Sequence, residues 1–168
     1  MSITVWDLDS TIADTSPRHH LSPFENPLET WDSYAKACSS DLPMRGTIYL
    51  MRSLYRAGEQ IHIVTGRRVS AFSETVEWLS RYEVPWHVIR MRQPGDPEPN
   101  TRYKIEYMKS LSELPSLFVS DWSPECQDVR KELGIAVVCI NPEYPTLNCA
   151  DPTMAMWDNP SSDMEVSK

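Results

Sequence analysis

Five short apolar runs, each followed by small or polar residues, are separated by segments whose apolar residues recur at helical spacing. That alternation confines the chain to an α/β architecture, a parallel sheet covered by helices. The runs are Ile3–Trp6, Ile61–Val64, Trp86–Met91, Leu117–Val119 and Ala136–Ile140. Between them, Arg45–Arg56 puts Ile48, Leu50, Met51, Leu54 and Tyr55 on one helical face, and Gly58 suits a stop. The spacing predicts a second helix over Ser70–Tyr82 through Phe72, Val76 and Leu79, and a third over Arg102–Leu111. Pro124–Leu133 follows, with Ser123 as N-cap and Gly134 at its C-terminal end.

Two regions break the alternation. Residues 15–43 hold four prolines, a histidine pair and one short helical stretch, ETWDSYAKA, and are expected as a small cap inserted over the first strand's C-terminal end. Residues 1–145 are then one domain, and the proline-rich, acidic 146–168 segment is expected as a partly disordered tail.

The formal net charge is -8, and basic residues never cluster beyond pairs such as Arg67–Arg68. A long duplex-binding surface is therefore excluded, and any nucleic-acid contact is local. Cys38, Cys126, Cys139 and Cys149 show no CxxC spacing and no charged, apolar leader precedes the first run, a pattern that suggests a reducing cytoplasm. Cys126 and Cys139 read as small core residues rather than ligands. No apolar stretch nears the ~20 residues that cross a bilayer, so no membrane partner is expected.

Ligands of open parallel sheets bind beyond the strands' C-terminal ends. Those ends carry Asp7, Asp9 and Thr11 after the first run, Thr65, Gly66 and Arg67 after the second, and Ser120, Asp121 and Glu125 after the fourth. Lys104 arrives from a helix start, and Arg90 with the following MRQPGDPEPN, which holds Arg92 and Asp96, lies nearby. Carboxylates gathered from separate strands repel unless a cation lies between them, and oxygen-only donors indicate a hard ion such as Mg2+. An EF-hand reading fails, because Ile12 stands where its glycine is needed and Arg18 where its glutamate is. With Thr65, Lys104 and backbone N–H groups around them, these acids have the parts for phosphoryl transfer, Asp7 attacking phosphorus and Asp9 handling protons.

DLDST, VTGR, Lys104 and SDWSPE, in that order and at those strand ends, resemble the four motifs of the haloacid dehalogenase-like (HAD) phosphohydrolase superfamily over residues 3 to 140. The details TIADT, RHH, WDSY, MR and YKIEYMKSL are similar to stand-alone 3′-phosphatase domains of phage polynucleotide kinases. The resemblance implies a Rossmann-like three-layer sandwich with a five-stranded, mainly parallel sheet. It implies Asp7 as nucleophile, Asp9 as acid/base, Thr65 and Lys104 as phosphate ligands, and Asp7, the Asp9 main chain and Asp121 around magnesium. Arg18 is carried over as a substrate contact, with Gly66, Arg67 and Thr11 beside it. The cytoplasm implied is that of a bacterial host. No GxxxxGK[ST] loop is present, so the kinase half is missing.

This sequence departs from that pattern twice. Ser10 stands where the family usually has glycine, and Trp122 where a second aspartate often follows Asp121. Glu125, one helical turn beyond Asp121, is the substitute carboxylate, placed to serve a magnesium-bound water or Lys104. Arg67 is expected at a helix start, where its charge opposes the dipole unless a phosphate binds there. Asp14 reads as a turn residue and His19–His20 as exposed loop. Trp31 and Tyr34 either stack on a base or pack the cap down.

The reading is a Mg2+-dependent phosphomonoesterase whose substrate is a nucleic-acid end or a nucleotide. A mononucleotide phosphatase of the 5′-nucleotidase type is the competing enzyme, and a catalytically weak nucleotide-binding protein competes from another class.

Overall fold

A computed structural model describes residues 1–93 and 95–140. The expected tail and Cys149 lie outside the described residues. In chain order the elements are β1 (Ile3–Trp6), β2 (Ala13–Asp14), α1 (Trp31–Lys36), β3 (Leu42–Pro43), α2 (Arg45–Arg56), β4 (Gln60–Arg68), α3 (Phe72–Arg81), β5 (Val88–Arg92), α4 (Asn100–Lys109), β6 (Leu117–Ser120), α5 (Ser123–Leu133) and β7 (Ala136–Cys139).

Five strands form one sheet in the order β5-β4-β1-β6-β7, and every pairing in it is parallel. The α/β three-layer sandwich is therefore as the alternation predicts. Successive side chains of a strand point to opposite faces, so Trp6 and Val5 divide the core between them. Trp6, Ile61, Ile63 and Val119 meet Ile48 and Met51 of α2 and Trp78 and Leu79 of α3. Val5, Val64 and Phe118 meet Tyr103, Ile105 and Met108 of α4 and Cys126 and Val129 of α5. Each of these large side chains contributes on the order of 1.5–3 kcal/mol through burial.

Several boundaries and faces differ from the sequence reading. On α2, Leu50 and Tyr55 are largely exposed, while Ile48 and Met51 are buried; Leu50 lies two residues, about 200° of rotation, from Ile48. A 3-10 turn at Val69–Ala71 precedes α3 and sets its phase, so Thr75, Trp78 and Leu79 face inward and Phe72 faces out. The Trp78 indole N–H donates to the Asp41 carbonyl at 2.9 Å, a partner that periodicity does not reveal. The N-cap of α5 is Trp122, with Ser123 and Pro124 as its first residues. Gly134 ends that helix at φ 67, left-handed backbone that glycine adopts at no steric cost.

β2 and β3 pair antiparallel, Ala13 with Pro43 and Asp14 with Leu42, so residues 15–41 emerge and return through one short ribbon. Within them α1 starts from a capping box, Thr30 and Ser33 each accepting the other's backbone N–H at 3.0 Å. Among the described residues no helix is long and apolar enough to cross a membrane.

Candidate active site

β1 ends at the centre of the sheet, and the next residue, Asp7, is tied to β6 by its N–H on the Val119 carbonyl at 2.9 Å. Asp7 Oδ1 accepts the Leu8 N–H at 2.7 Å, and Oδ2 meets Lys104 Nζ at 2.7 Å. Lys104, from the first turns of α4, is fully buried and also meets Glu125 Oε2 at 2.8 Å. The Ser120 hydroxyl donates to that same Oε2 at 2.8 Å. Strand, helix and strand end thus converge on one buried ammonium.

Asp121 follows β6. The Thr11 hydroxyl donates to Asp121 Oδ1 at 3.1 Å and accepts the Asp121 N–H at 3.0 Å. Thr11 is fully buried, and its hydroxyl braces Asp121. Burial, with repulsion from Glu125 and Asp121, outweighs Lys104 and pushes Asp7 up to about 7. Asp121 is also raised, by burial first, whereas the two carboxylates facing Lys104 overcome its burial and raise its pKa.

Carboxylates raised by burial and mutual repulsion mark a place where a cation would be stabilising. Among the described residues no three acidic, imidazole or thiol side chains gather closely enough to hold an ion; the carboxylates that meet are Asp7 and Asp121, close enough for each to feel the other's charge. Magnesium suits that donor set, since it is usually held by one or two carboxylates and keeps several waters. Glu125 Oε1 is buried without a partner, an acceptor free for a bound water.

Asp9 belongs to a second cluster. Its Oδ1 meets Arg18 Nη2 at 2.6 Å and Arg67 Nη2 at 2.5 Å, and Arg67 Nε also reaches both oxygens at 3.0 and 3.2 Å. Both arginines bind a second acid, Asp41, through Arg18 Nε at 2.6 Å, Arg18 Nη2 at 3.0 Å and Arg67 Nη2 at 2.8 Å. The result is an alternating, charge-balanced square. Burial alone would raise Asp9, but Arg67 and Arg18 outweigh it and hold it below its ordinary 3.8.

Arg67 lies within β4, inside the register shift between Val64 and Arg68, so the helix-start reading is corrected. Its charge answers to Asp9 and Asp41, and Nη1 also donates to Thr75 at 3.2 Å. Asp41 was not among the sequence candidates. It sits between a 3-10 turn and β3, and nothing in its local pattern signals that two distant arginines close on it.

Thr65 is buried, and its hydroxyl accepts the Arg67 N–H at 3.2 Å. A Cβ on Gly66 would lie 2.8 Å from Asn100 Oδ1, so a larger residue here would require the Asn100 side chain to turn aside. Ser10 has φ 58, the left-handed conformation that explains a glycine preference there. Its N–H donates to the Ala13 carbonyl at 2.8 Å, closing the loop that carries Asp9 and Thr11.

The remaining candidates divide. Arg92 donates to the carbonyls of Asp96 and Glu98 and pairs with the Asp96 carboxylate at 3.4 Å, so both are committed to their own loop, while Arg90 is exposed. Asp14 accepts the Ser16 N–H at 2.9 Å as a turn residue, and His19 and His20 are exposed. Cys126 is buried, but Cys139 is exposed on β7 rather than in the core. Tyr34 lies under Arg18, whose Cζ is 4.1 Å from the ring centroid; Trp31 packs edge-on against Tyr34 yet stays partly exposed.

No protein-family model matches this sequence, and no curated protein matches it. Solved structures do. Chains from two structures of the Pnkp1/Rnl/Hen1 complex, one described as an RNA repair complex, superpose with TM-scores of 0.70 and 0.69 at 16% and 17% identity, over 83% and 84% of this chain. This chain spans only 45% and 43% of theirs. The class C acid phosphatase from Bacillus anthracis gives a TM-score of 0.60 at 19% identity, covering 83% of this chain and 66% of that one. The HAD-hydrolase YfnB from Bacillus subtilis, bound to magnesium, gives 0.58 at 12% identity, covering 84% and 89%. The chain therefore has the fold of the haloacid dehalogenase-like hydrolases.

Proposed function

We propose that this chain is a magnesium-dependent phosphomonoesterase that works through an aspartyl-phosphate on Asp7 and removes 3′-phosphate from nucleic-acid ends or nucleotides. The observation that carries the reading is Asp7 at the central strand end, with a buried Lys104 at 2.7 Å and Asp121 close enough to raise its pKa. The neighbours named as phosphatases and as an RNA repair complex support the same chemistry.

Asp7, the Asp9 carbonyl and Asp121 would hold Mg2+, which when bound neutralises charge on the carboxylates and on the transferring oxygens. A carboxylate oxygen of Asp7 attacks phosphorus in line as the bond to the sugar oxygen breaks. Lys104 and Thr65 stabilise the equatorial oxygens. Asp9 protonates the leaving oxygen, then takes a proton from the water that cleaves the acyl-phosphate, restoring Asp7 and releasing phosphate. Proton donation requires Asp9 to be released from its two guanidiniums. Substrate phosphate is the competing anion that draws Arg18 and Arg67 away, so the acid is armed only when the site is filled.

The test is phosphate release from 3′-phosphorylated oligonucleotides and from 3′- and 5′-mononucleotides, with Mg2+ or chelator. Turnover that requires Mg2+ and vanishes in Asp7→Asn is expected; turnover retained by Asp7→Asn refutes the nucleophile. The net charge of -8 favours a second reading, a mononucleotide enzyme, which would show turnover nearly insensitive to salt, whereas a chain-end enzyme holding several phosphates weakens steeply.

A further inference from the structure

We infer that Cys126 and Cys139 are a redox modification site, a pair of thiols that a peroxide converts to a disulfide at the strand end carrying Asp121. The pair stands apart from the phosphatase reading above; its effect on turnover rests on that reading.

The two cysteines come from different elements, Cys126 from the start of α5 and Cys139 from the last position of β7. Side chains two residues apart on a strand share a face, so Cys139 follows Val137, which packs against the core cluster that contains Cys126. Register brings the two to one place. Cys139 stands opposite Ser120 in the β6–β7 pairing, and the Cys126 thiol donates to the Ser120 carbonyl at 3.8 Å. The Cys139 thiol donates to the next carbonyl, that of Asp121, at 3.4 Å. The two thiols also lie within hydrogen-bond reach of each other. Sulfurs in such contact need to close by less than about 2 Å to reach the ~2.0 Å of a disulfide.

The pair is asymmetric. Cys139 is exposed and Cys126 buried, so an oxidant in solution meets Cys139 first. Its sulfur takes one oxygen of the peroxide to become a sulfenic acid, and the other oxygen leaves as water. The Cys126 sulfur then attacks the sulfenic sulfur; the S–S bond forms, and the hydroxyl departs with the Cys126 proton as a second water. Each sulfur gives up one electron, each peroxide oxygen gains one, and a dithiol reverses the bond. Where thiols are otherwise kept reduced, such a bond is transient and redox-sensing.

The disulfide leaves neither sulfur a proton to donate. The Ser120 carbonyl keeps another donor, the Ile140 N–H at 3.0 Å, whereas the Asp121 carbonyl loses the thiol that met it. The Asp121 carboxylate stays braced by Thr11, so oxidation weakens the site without dismantling it.

The test treats the intact chain, Cys149→Ser and Cys139→Ser with hydrogen peroxide, alkylates the remaining thiols and reads the digested peptides by mass. The peptides of Cys126 and Cys139 are expected joined, with two hydrogens lost, in the intact chain and in Cys149→Ser, and separated again by dithiothreitol. In Cys139→Ser, Cys126 is expected to remain alkylatable. Cys139 driven to sulfinic acid while Cys126 is still alkylated, or Cys139 joined to Cys149 instead, would overturn the proposal. Release of phosphate from a 3′-phosphorylated oligonucleotide is expected to fall about two- to tenfold on oxidation, to recover with dithiothreitol and to ignore peroxide in Cys139→Ser. A joined pair with unchanged turnover would refute the coupling to Asp121. If no form of the chain released phosphate, the phosphatase reading would fail instead. The peptide masses would still decide the disulfide, and amide exchange at Asp121 and Trp122 would decide the coupling, faster exchange after oxidation supporting it and unchanged exchange refuting it.

Discussion

Replacing Asp41 by asparagine removes one corner of the buried square while leaving side-chain volume almost unchanged. Asp41 accepts three guanidinium hydrogen bonds at 2.6, 2.8 and 3.0 Å and its side chain is shielded from water, as are those of Arg18 and Arg67. Burial pushes Asp41 up from its ordinary value, with Arg18 and Arg67 pulling it back, so the pair contributes little by having been assembled. Breaking it is a different matter. Asparagine leaves two buried cations facing one carboxylate and turns an amide N–H toward a donor. Removal of one partner of a buried pair costs about 3–5 kcal/mol; at ~2–4 °C per kcal/mol for a chain of this size, the melting temperature should fall by roughly 6–20 °C. The control is Glu77→Gln, which breaks the Arg81 pair at 3.0 Å with side chains 45% and 70% exposed, where a change under about 1 kcal/mol is expected. Thermal unfolding followed by circular dichroism, and urea midpoints at pH 7, would measure both. An Asp41→Asn chain that melts within about 2 °C of the parent, well short of that fall, would refute the energetic reading of the square.

Ser10→Gly should raise stability by about 1 kcal/mol, because φ 58 places a Cβ where left-handed backbone penalises it; a melting temperature that stays the same or falls would count against this. Asp9 offers a pH test, since its folded pKa is held below 3.8. A depressed carboxylate pKa gives stability that is full above the unfolded value and lost as pH falls through the folded one. The stability gap between the parent and Asp9→Asn should therefore be flat from pH 5 to 7 and narrow only below about pH 4; urea titrations showing it close between pH 5 and 7 would contradict the Arg18–Asp9–Arg67 assignment. Gly66→Ala should lower the melting point only slightly, since the atom its Cβ meets at 2.8 Å is the tip of the Asn100 side chain, which can turn aside; a fall of more than several degrees would show that Asn100 is held in place.

Some of this protein was written in local pattern. The period of the apolar residues determined which segments become strands, because each buried strand of a parallel sheet must be apolar on both faces. β1 and α2 begin and end where that pattern says. The strand-end positions of Asp7 and Asp121 follow from the same boundaries, since ligand groups of such sheets gather there. Lys104 was legible only through its place beside them.

Tertiary structure decided the rest, for a reason of distance along the chain. Thr11 and Asp121 are 110 residues apart and Asp9 and Arg67 are 58 apart, separations that leave no period in the sequence. Thr11 gained a bracing role because the fold set its hydroxyl against the Asp121 amide and carboxylate. Arg67 gained two acids because β4 runs past the length its apolar core required. Asp41 acquired its importance only when the ribbon of β2 and β3 returned the chain to where Arg18 and Arg67 bond it. A charged side chain buried in a protein is defined by the partners that offset its desolvation, and those partners exist only once the chain has folded.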